Sequence, residues 1–258
     1  MNHVLLNKLK YWLQPTNKIF ADFTEYVVGD KDQRRVFIDR GADILFVAHI
    51  DTVQPPKYKR TKRTKAKKAK RLYVQGLDDR LGCLIACELS EQLGVDLLLT
   101  DNEECCRTTA QWHNYKQYNW IAEFDRAGDD VVTYGLDNPG FLNALGRHFK
   151  VGFGSYSDIC DMETKACCVN IGIGYELAHS QDSYVVVKTM QEQINRFLTF
   201  YAENKDITYI QQAELSDQDW YQGWHCDICG IAEAEYIHGY HICEDCFCDV
   251  IEPVLYTK

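Results

Sequence analysis

No stretch of the 258-residue sequence is apolar for long enough to cross a bilayer. The opening segment MNHVLLNKLKYWLQPTNK scatters charged and polar residues among its apolar ones, so it lacks the uninterrupted apolar core of an export signal. These absences exclude a membrane partner and predict a cytoplasmic protein. Internal repeats are missing as well, which excludes a solenoid or propeller. Acids are missing from Lys57 to Arg71, a stretch that holds ten of the 28 basic residues. The remainder then carries −20 against −10 for the whole chain, so its body repels polyanions, and nucleic acid is left only the Lys57 to Arg71 loop as a contact.

What is present in excess is cysteine, twelve in all, including the neighbours Cys105 and Cys106. Without an export signal these read as reduced thiols and metal ligands, not disulfides. Cys226-x-x-Cys229 and Cys243-x-x-Cys246, thirteen residues apart, form two knuckles whose four thiolates would close one structural zinc site. The segment resembles a zinc ribbon, in which metal binding supplies the folding energy that a small core cannot. Glu233, Glu235, Glu244 and Asp245 make it acidic, which favours a protein partner or a covering over a neighbouring cleft above nucleic acid. The division expected is a main domain over 1–205, a linker over 206–222 and a zinc-ribbon-like module over 223–258.

Along the main domain, Leu5 to Leu13 has helical spacing, Arg35 to Asp39 and Asp43 to His49 read as strands, and Leu72 to Gln75 as another. Leu81 to Leu93 is helical, and Val95 to Thr100 is an apolar strand. Further strands are expected at Trp120 to Phe124, Asp130 to Tyr134 and Cys167 to Ile173, before an amphipathic helix over Val187 to Ala202. Strand, helix and strand in alternation predict an α/β fold: a mixed, mainly parallel central sheet with helices on both faces, whose ligands bind where strands end.

Polar clusters follow those strands: His49 with Asp51, Asp78 with Asp79, Glu103 with Glu104, Asp125, and His179. Imidazole and carboxylate suit a divalent metal, and one carboxylate can bridge two ions. The ordered segments FVAHIDTV, LYVQGLDDRLG, LLLTDNEE, IAEFDR and GIGYELAHSQDS resemble the co-catalytic dizinc exopeptidases, which include leucyl-type and glutamyl aminopeptidases and carboxypeptidase and deacylase relatives. The resemblance covers most of residues 40–185. It implies two catalytic Zn2+ or other divalent ions, with Asp78 bridging, His49 and Asp125 completing one site, and Glu104 and His179 the other. It also implies Glu103 as general base, with Asp51 orienting His49 and Asp79 supporting the site. The activity implied is aminopeptidase-like hydrolysis of an amide bond in a small peptide or acylated amino compound. The carboxypeptidase-like relatives insert a lid domain before the last histidine, whereas 54 positions separate Asp125 from His179 here, which predicts a lidless cleft.

Substrate recognition is less legible. Asp158 is placed to bind a substrate ammonium, Arg126 to pair with a carboxylate, and Tyr175 lies near the last ligand; each also reads as an ordinary turn or structural residue. Lys57 to Arg71 reads as an exposed ribbon at the rim of the cleft, which attracts acidic substrates. The alternative to an enzyme is a peptidase-like scaffold that binds a protein or nucleic-acid partner through the zinc ribbon and the basic loop.

Overall fold

The computed structural model describes residues 2–63 and 70–212, together with two short strands further on. The chain divides into two compact units, 1–212 and 213–258. Of the second, strands Glu235–Ile237 and Tyr240–Ile242 are described, paired antiparallel with Tyr236 opposite His241. The four knuckle cysteines, Cys226, Cys229, Cys243 and Cys246, lie outside the described residues.

In the first unit the helices are α1 (Asn2–Trp12), α2 (Thr16–Asp22), α3 (Leu77–Leu93), α4 (Pro139–Gly146) and α5 (Val187–Asn204). The strands are β1 (Val27–Val28), β2 (Arg35–Ile38), β3 (Ile44–His49), β4 (Lys57–Arg63), β5 (Lys70–Gln75), β6 (Asp96–Thr100), β7 (Trp120–Arg126), β8 (Asp130–Val132), β9 (Lys150–Val151), β10 (Cys168–Gly172), β11 (Tyr175–Glu176) and β12 (Tyr184–Val186). Eight of them form a sheet in the order β1-β2-β6-β3-β7-β10-β8-β9. Its centre, β6-β3-β7-β10, is parallel, and β2 and β8 flank it antiparallel. A second sheet runs β11-β12-β5-β4. The architecture is the mixed, mainly parallel α/β arrangement that the alternation of elements predicts, and only short elements occupy the interval from Asp125 to His179.

The continuous apolar runs of β3, β6 and β10 are buried throughout, as strands covered on both faces must be. Successive side chains point to opposite faces. Phe46, Ala48, Leu97, Leu99, Ala122, Phe124, Val169 and Ile171 meet residues of α1, α3 and α5 in the main core. Leu45, Val47, Leu98, Ile121 and Cys168 point the other way. That second face departs from the expectation of helices on both sides. Short 3-10 turns and loops cover it through Ala110, Tyr118, Ile159 and Met162, because the segments Thr109–Trp112 and Asp158–Asp161 carry too few apolar residues to sustain an amphipathic helix.

Residues 206–212, expected to open the linker, hydrogen-bond along the main unit: Tyr209 N donates to Asn119 O, Cys167 N to Tyr209 O, and Gln212 N to Asp137 O. The wholly buried Arg80 ties the N-terminal helices to α3 by donating to Trp12 O and to Thr16 Oγ1. No described helix is long and apolar enough to cross a membrane.

An aromatic knot holds α5 against the sheet. Phe197 packs edge-on against Phe46, Phe124 and Trp120, with ring centroids 5.4, 4.9 and 6.2 Å away. Burying such a ring removes a large apolar area from water, and truncation leaves a cavity that a rigid sheet cannot collapse. Phe197→Ala should therefore cost about 3–5 kcal/mol, seen as a lower urea midpoint at unchanged slope.

Candidate metal centre

The parallel strands all present their carboxyl ends at one rim of the sheet, and the polar clusters fall there. His49 ends β3, Glu103 and Glu104 follow β6 in a short 3-10 turn, and Asp125 lies near the end of β7. Asp78 and Asp79 stand at the mouth of α3 with non-helical backbone angles, before the regular helix begins. His179 comes from the loop between β11 and β12, at φ +59°. A non-glycine residue there costs about 1 kcal/mol, which the surrounding structure must offset.

Asp78 sits between two sets of ligand atoms. Its Oδ1 lies 3.3 Å from His49 Nε2, and the same nitrogen is 3.2 Å from Asp125 Oδ1. Its Oδ2 lies 3.1 Å from His179 Nε2, which is 2.9 Å from Glu104 Oε2. His49, Asp78 and Asp125 thus make one triad, and Asp78, Glu104 and His179 another, the ligand atoms within each lying no more than 4.8 Å apart. These are the five residues that the family pattern singled out, with the shared aspartate in common.

The neighbours hold this arrangement. His49 Nδ1 is 3.1 Å from the Asp51 carbonyl oxygen and 3.3 Å from Asp51 Oδ1, which leaves Nε2 to face the cluster. The Asp51 carboxylate in turn accepts from the backbone N–H groups of Glu103 and Glu104, at 3.2 and 3.1 Å, and so locks the turn to the β3 end. Buried Asp79 accepts from Gly82 N at 2.9 Å and His49 N at 3.3 Å. A Cβ at position 82 would overlap both the Asp79 carboxylate and the Phe124 carbonyl, so only glycine fits there.

Charge is the dominant feature. Burial pushes the Asp125 pKa well up, and the neighbouring Asp78 charge adds to it. Glu103 is raised by burial and then by Glu104 and Asp78; Glu104 is raised by burial and by Asp78. Asp78 goes the other way. Burial opposes its ionisation, but the imidazoles of His179 and His49 outweigh it and hold its pKa well below the usual range. Burial likewise disfavours an imidazolium at His49, yet Asp125, Asp51 and Asp78 hold its pKa well above the ordinary value. The bond to Asp78 raises His179 to about 9.

Of the chain's own fixed cations, Arg126 lines the cleft, and its guanidinium is taken up by Asp130, with Nε and Nη2 donating at 2.7 and 2.9 Å. Four carboxylates and two imidazoles of this geometry fit divalent cations, which would offset the charge that these acids concentrate.

The cleft of about 350 Å³ is lined by Asp78, Glu103, Glu104, Asp125, Arg126 and His179, together with Tyr134, Tyr156 and Asn170. Two expected substrate residues are not available to a ligand. Asp158 is completely buried and accepts from Thr100 Oγ1, and burial raises its pKa to about 7. Tyr175 is buried, with its hydroxyl donating to the Asp125 carbonyl at 2.9 Å. The short 3-10 segment at 158 packs under the sheet, which is what buries Asp158.

The structure adds a buried polar layer behind Asp125. Asn170 Oδ1 accepts from Asp125 N at 3.0 Å, Asn170 Nδ2 donates to Ser157 Oγ at 2.8 Å, and that hydroxyl donates to Glu123. Glu123 and Asn170 are polar residues inside otherwise apolar strands, which is the signal in the sequence that would have found them.

No family model matches the sequence, and no curated protein matches it. Among solved structures, the chain is similar to the Pyrococcus horikoshii TET1 peptidase, at 11% identity over 79% of this chain and 100% of that one, with a TM-score of 0.50. A tripeptidase from Staphylococcus aureus is also similar, at 10% identity over 76% and 96% with a TM-score of 0.49. The aminopeptidase PepT from Bacillus cereus shares 11% over 76% and 96%, with a TM-score of 0.46. At these identities the first likeness establishes a shared fold, that of a peptidase.

A divalent cation held by these triads and not by the unfolded chain would stabilise the fold, so one at about a hundredfold excess over its Kd should add about 2.7 kcal/mol, reversed by EDTA. Asp78→Ala, which removes an oxygen from each triad, should lose most of the associated rise in Tm, and Gly82→Ala should weaken metal binding by displacing Asp79.

Proposed function

We propose that the main domain is a cytoplasmic two-metal hydrolase, aminopeptidase-like, that cleaves an amide bond of a small peptide or acylated amino compound. The observation that carries this is the pair of triads sharing Asp78, with the Glu103 carboxylate facing the same cleft yet belonging to neither. Zinc is the metal proposed, two ions in the triads and a third held by Cys226, Cys229, Cys243 and Cys246. When bound, the catalytic pair would polarise the scissile carbonyl and make a neighbouring water easier to deprotonate.

The rest falls to the chain's own groups. Glu103 Oε2 lies 3.8 Å from His49 Nε2, close enough to take a proton from water at the cluster and return it to the leaving amine. Burial and the nearby carboxylates raise its pKa above the ordinary carboxylate value. Asp51 orients His49, and Asn170 fixes the backbone at Asp125. With Asp158 and Tyr175 buried, Arg126, Tyr134 and Tyr156 are the residues left to meet the substrate. The fold shared with peptidase structures agrees with this reading. A scaffold that only binds partners would have no use for a carboxylate held beside two complete ligand sets.

Glu103→Gln keeps the shape and removes the base. It should lower kcat on aminoacyl or N-acyl substrates by about 10²–10⁴-fold while the zinc content stays at three per chain; turnover at the wild-type rate would eliminate Glu103 as the base. Cys226→Ser should reduce the zinc content by one and leave the catalytic pair in place.

A further inference from the structure

The β4–β5 ribbon carries a basic surface that the hydrolytic site does not use. Its buried face is ordinary: Leu72 and Val74 of β5 and Val185 of β12 all enter the main core. A register shift between Tyr58 and Arg60 decides what the other face shows. Tyr58 pairs with Val74 and packs against the core, whereas beyond the irregularity Arg60 pairs with Tyr73 and Lys62 with Arg71. The extra residue re-aims the strand so that its cations share the outer face with two aromatic rings. Tyr73 and Tyr184 lie 5.2 Å apart, Arg60 stacks over Tyr73 at 4.5 Å and Arg71 over Tyr184 at 4.4 Å.

Two features of this face are costly unless something anionic lies on it. Lys62 opposite Arg71 places like charges in cross-strand register, which is destabilising. Among the described residues, Lys62 and Arg71 have no carboxylate partner, and Arg60 has only Asp182, at 3.5 Å. A guanidinium stacked on a ring keeps its in-plane N–H groups for carboxylate or phosphate.

The ribbon is joined to the metal centre at its base. Lys57 pairs with Gln75, which is three residues from Asp78 and so within about 11 Å of it along the chain. Asp182, which meets Arg60, lies in the same loop as His179. Among the described residues β4 is also the last strand of its sheet, with nothing paired to its outer side. Such an edge offers an extended peptide a ladder of alternating N–H and C=O groups, which a nucleic-acid backbone cannot match. The tyrosine rings are already engaged by the chain's own guanidinium groups, which speaks against base stacking as the mode of binding.

We infer that the outer face and free edge of the β4–β5 ribbon bind an acidic, extended polypeptide, and that this site, which rests on the hydrolase reading, makes acidic peptides the substrates of the adjoining cleft. The peptide backbone lies along β4, and its carboxylates meet Arg60, Lys62 and Arg71.

The test reads binding without turnover. The full chain carrying Glu103→Gln is titrated against a fluorescein-labelled deca-glutamate, a Gly-Ser peptide of the same length, and a ten-nucleotide oligothymidylate, with anisotropy as the signal. The acidic peptide should bind most tightly and weaken as salt rises. Arg60→Gln combined with Arg71→Gln should weaken it about tenfold, as two exposed ion pairs would. If that pair of changes disturbs the sheet, Lys62→Gln alone should still weaken binding, by about threefold. Equal or tighter binding of oligothymidylate, or unchanged affinity in the ribbon variants, overturns the proposal. Failure is separable from that of the hydrolase reading: a wild-type protein that cleaves neutral peptides but does not bind deca-glutamate sinks the ribbon site alone, whereas one that binds deca-glutamate and hydrolyses no peptide sinks the hydrolase reading and the substrate assignment with it.

Discussion

Four carboxylates and two imidazoles crowd one rim of the sheet, and much of the domain around them serves to keep mutually repelling groups in place. Each oxygen of Asp78 faces a different histidine. Asp78 alone of the four is held well below the usual carboxylate range, while burial and their neighbours drive Asp125, Glu103 and Glu104 upward. An arrangement of this kind is expensive for carboxylates left to themselves and favourable around cations.

The support for that rim is layered. Nearest are Asp51 and Asp79, which hold His49 through its ring and its backbone. Behind Asp125 lies the Asn170, Ser157 and Glu123 chain, in a place where a wholly apolar strand would have packed as well. Glu123 Oε1 and Asp158 Oδ1 lack hydrogen-bond partners among the described residues, and both groups are raised in pKa by burial. Protonated carboxyls there would carry no charge into the interior, which fits their burial beneath a cluster already rich in negative charge.

The aromatic packing around Phe197 and the glycine at position 82 show how the apolar core sets site geometry. Phe124 belongs to both: its ring meets Phe197, and its carbonyl would meet any side chain at position 82. The strand that delivers Asp125 thus packs against both α5, through Phe197, and α3, through Gly82. A rigid frame is what a two-cation site requires, since displacement of one donor affects both triads through Asp78.

Much was legible in the sequence because it depends on local pattern. Continuous apolar runs announce central strands, and helical spacing announces α3 and α5. Polar residues just after strands mark the sheet end where ligands bind, and the family resemblance singles out His49, Asp78, Glu103, Glu104, Asp125 and His179 from among them. Tertiary structure decided what pattern cannot encode. Whether the loop with His179 reaches Asp78 depends on pairing between β5 and β12, more than a hundred residues apart in the chain. Asp158 and Tyr175 look like turn residues by composition yet are buried, because the segment around Asp158 closes the sheet's second face and Tyr175 packs into the main core behind Asp125. The basic run is plain in the sequence, but the face on which its cations gather was set by a single extra residue in β4, since a shift of one in strand register exchanges inside for outside.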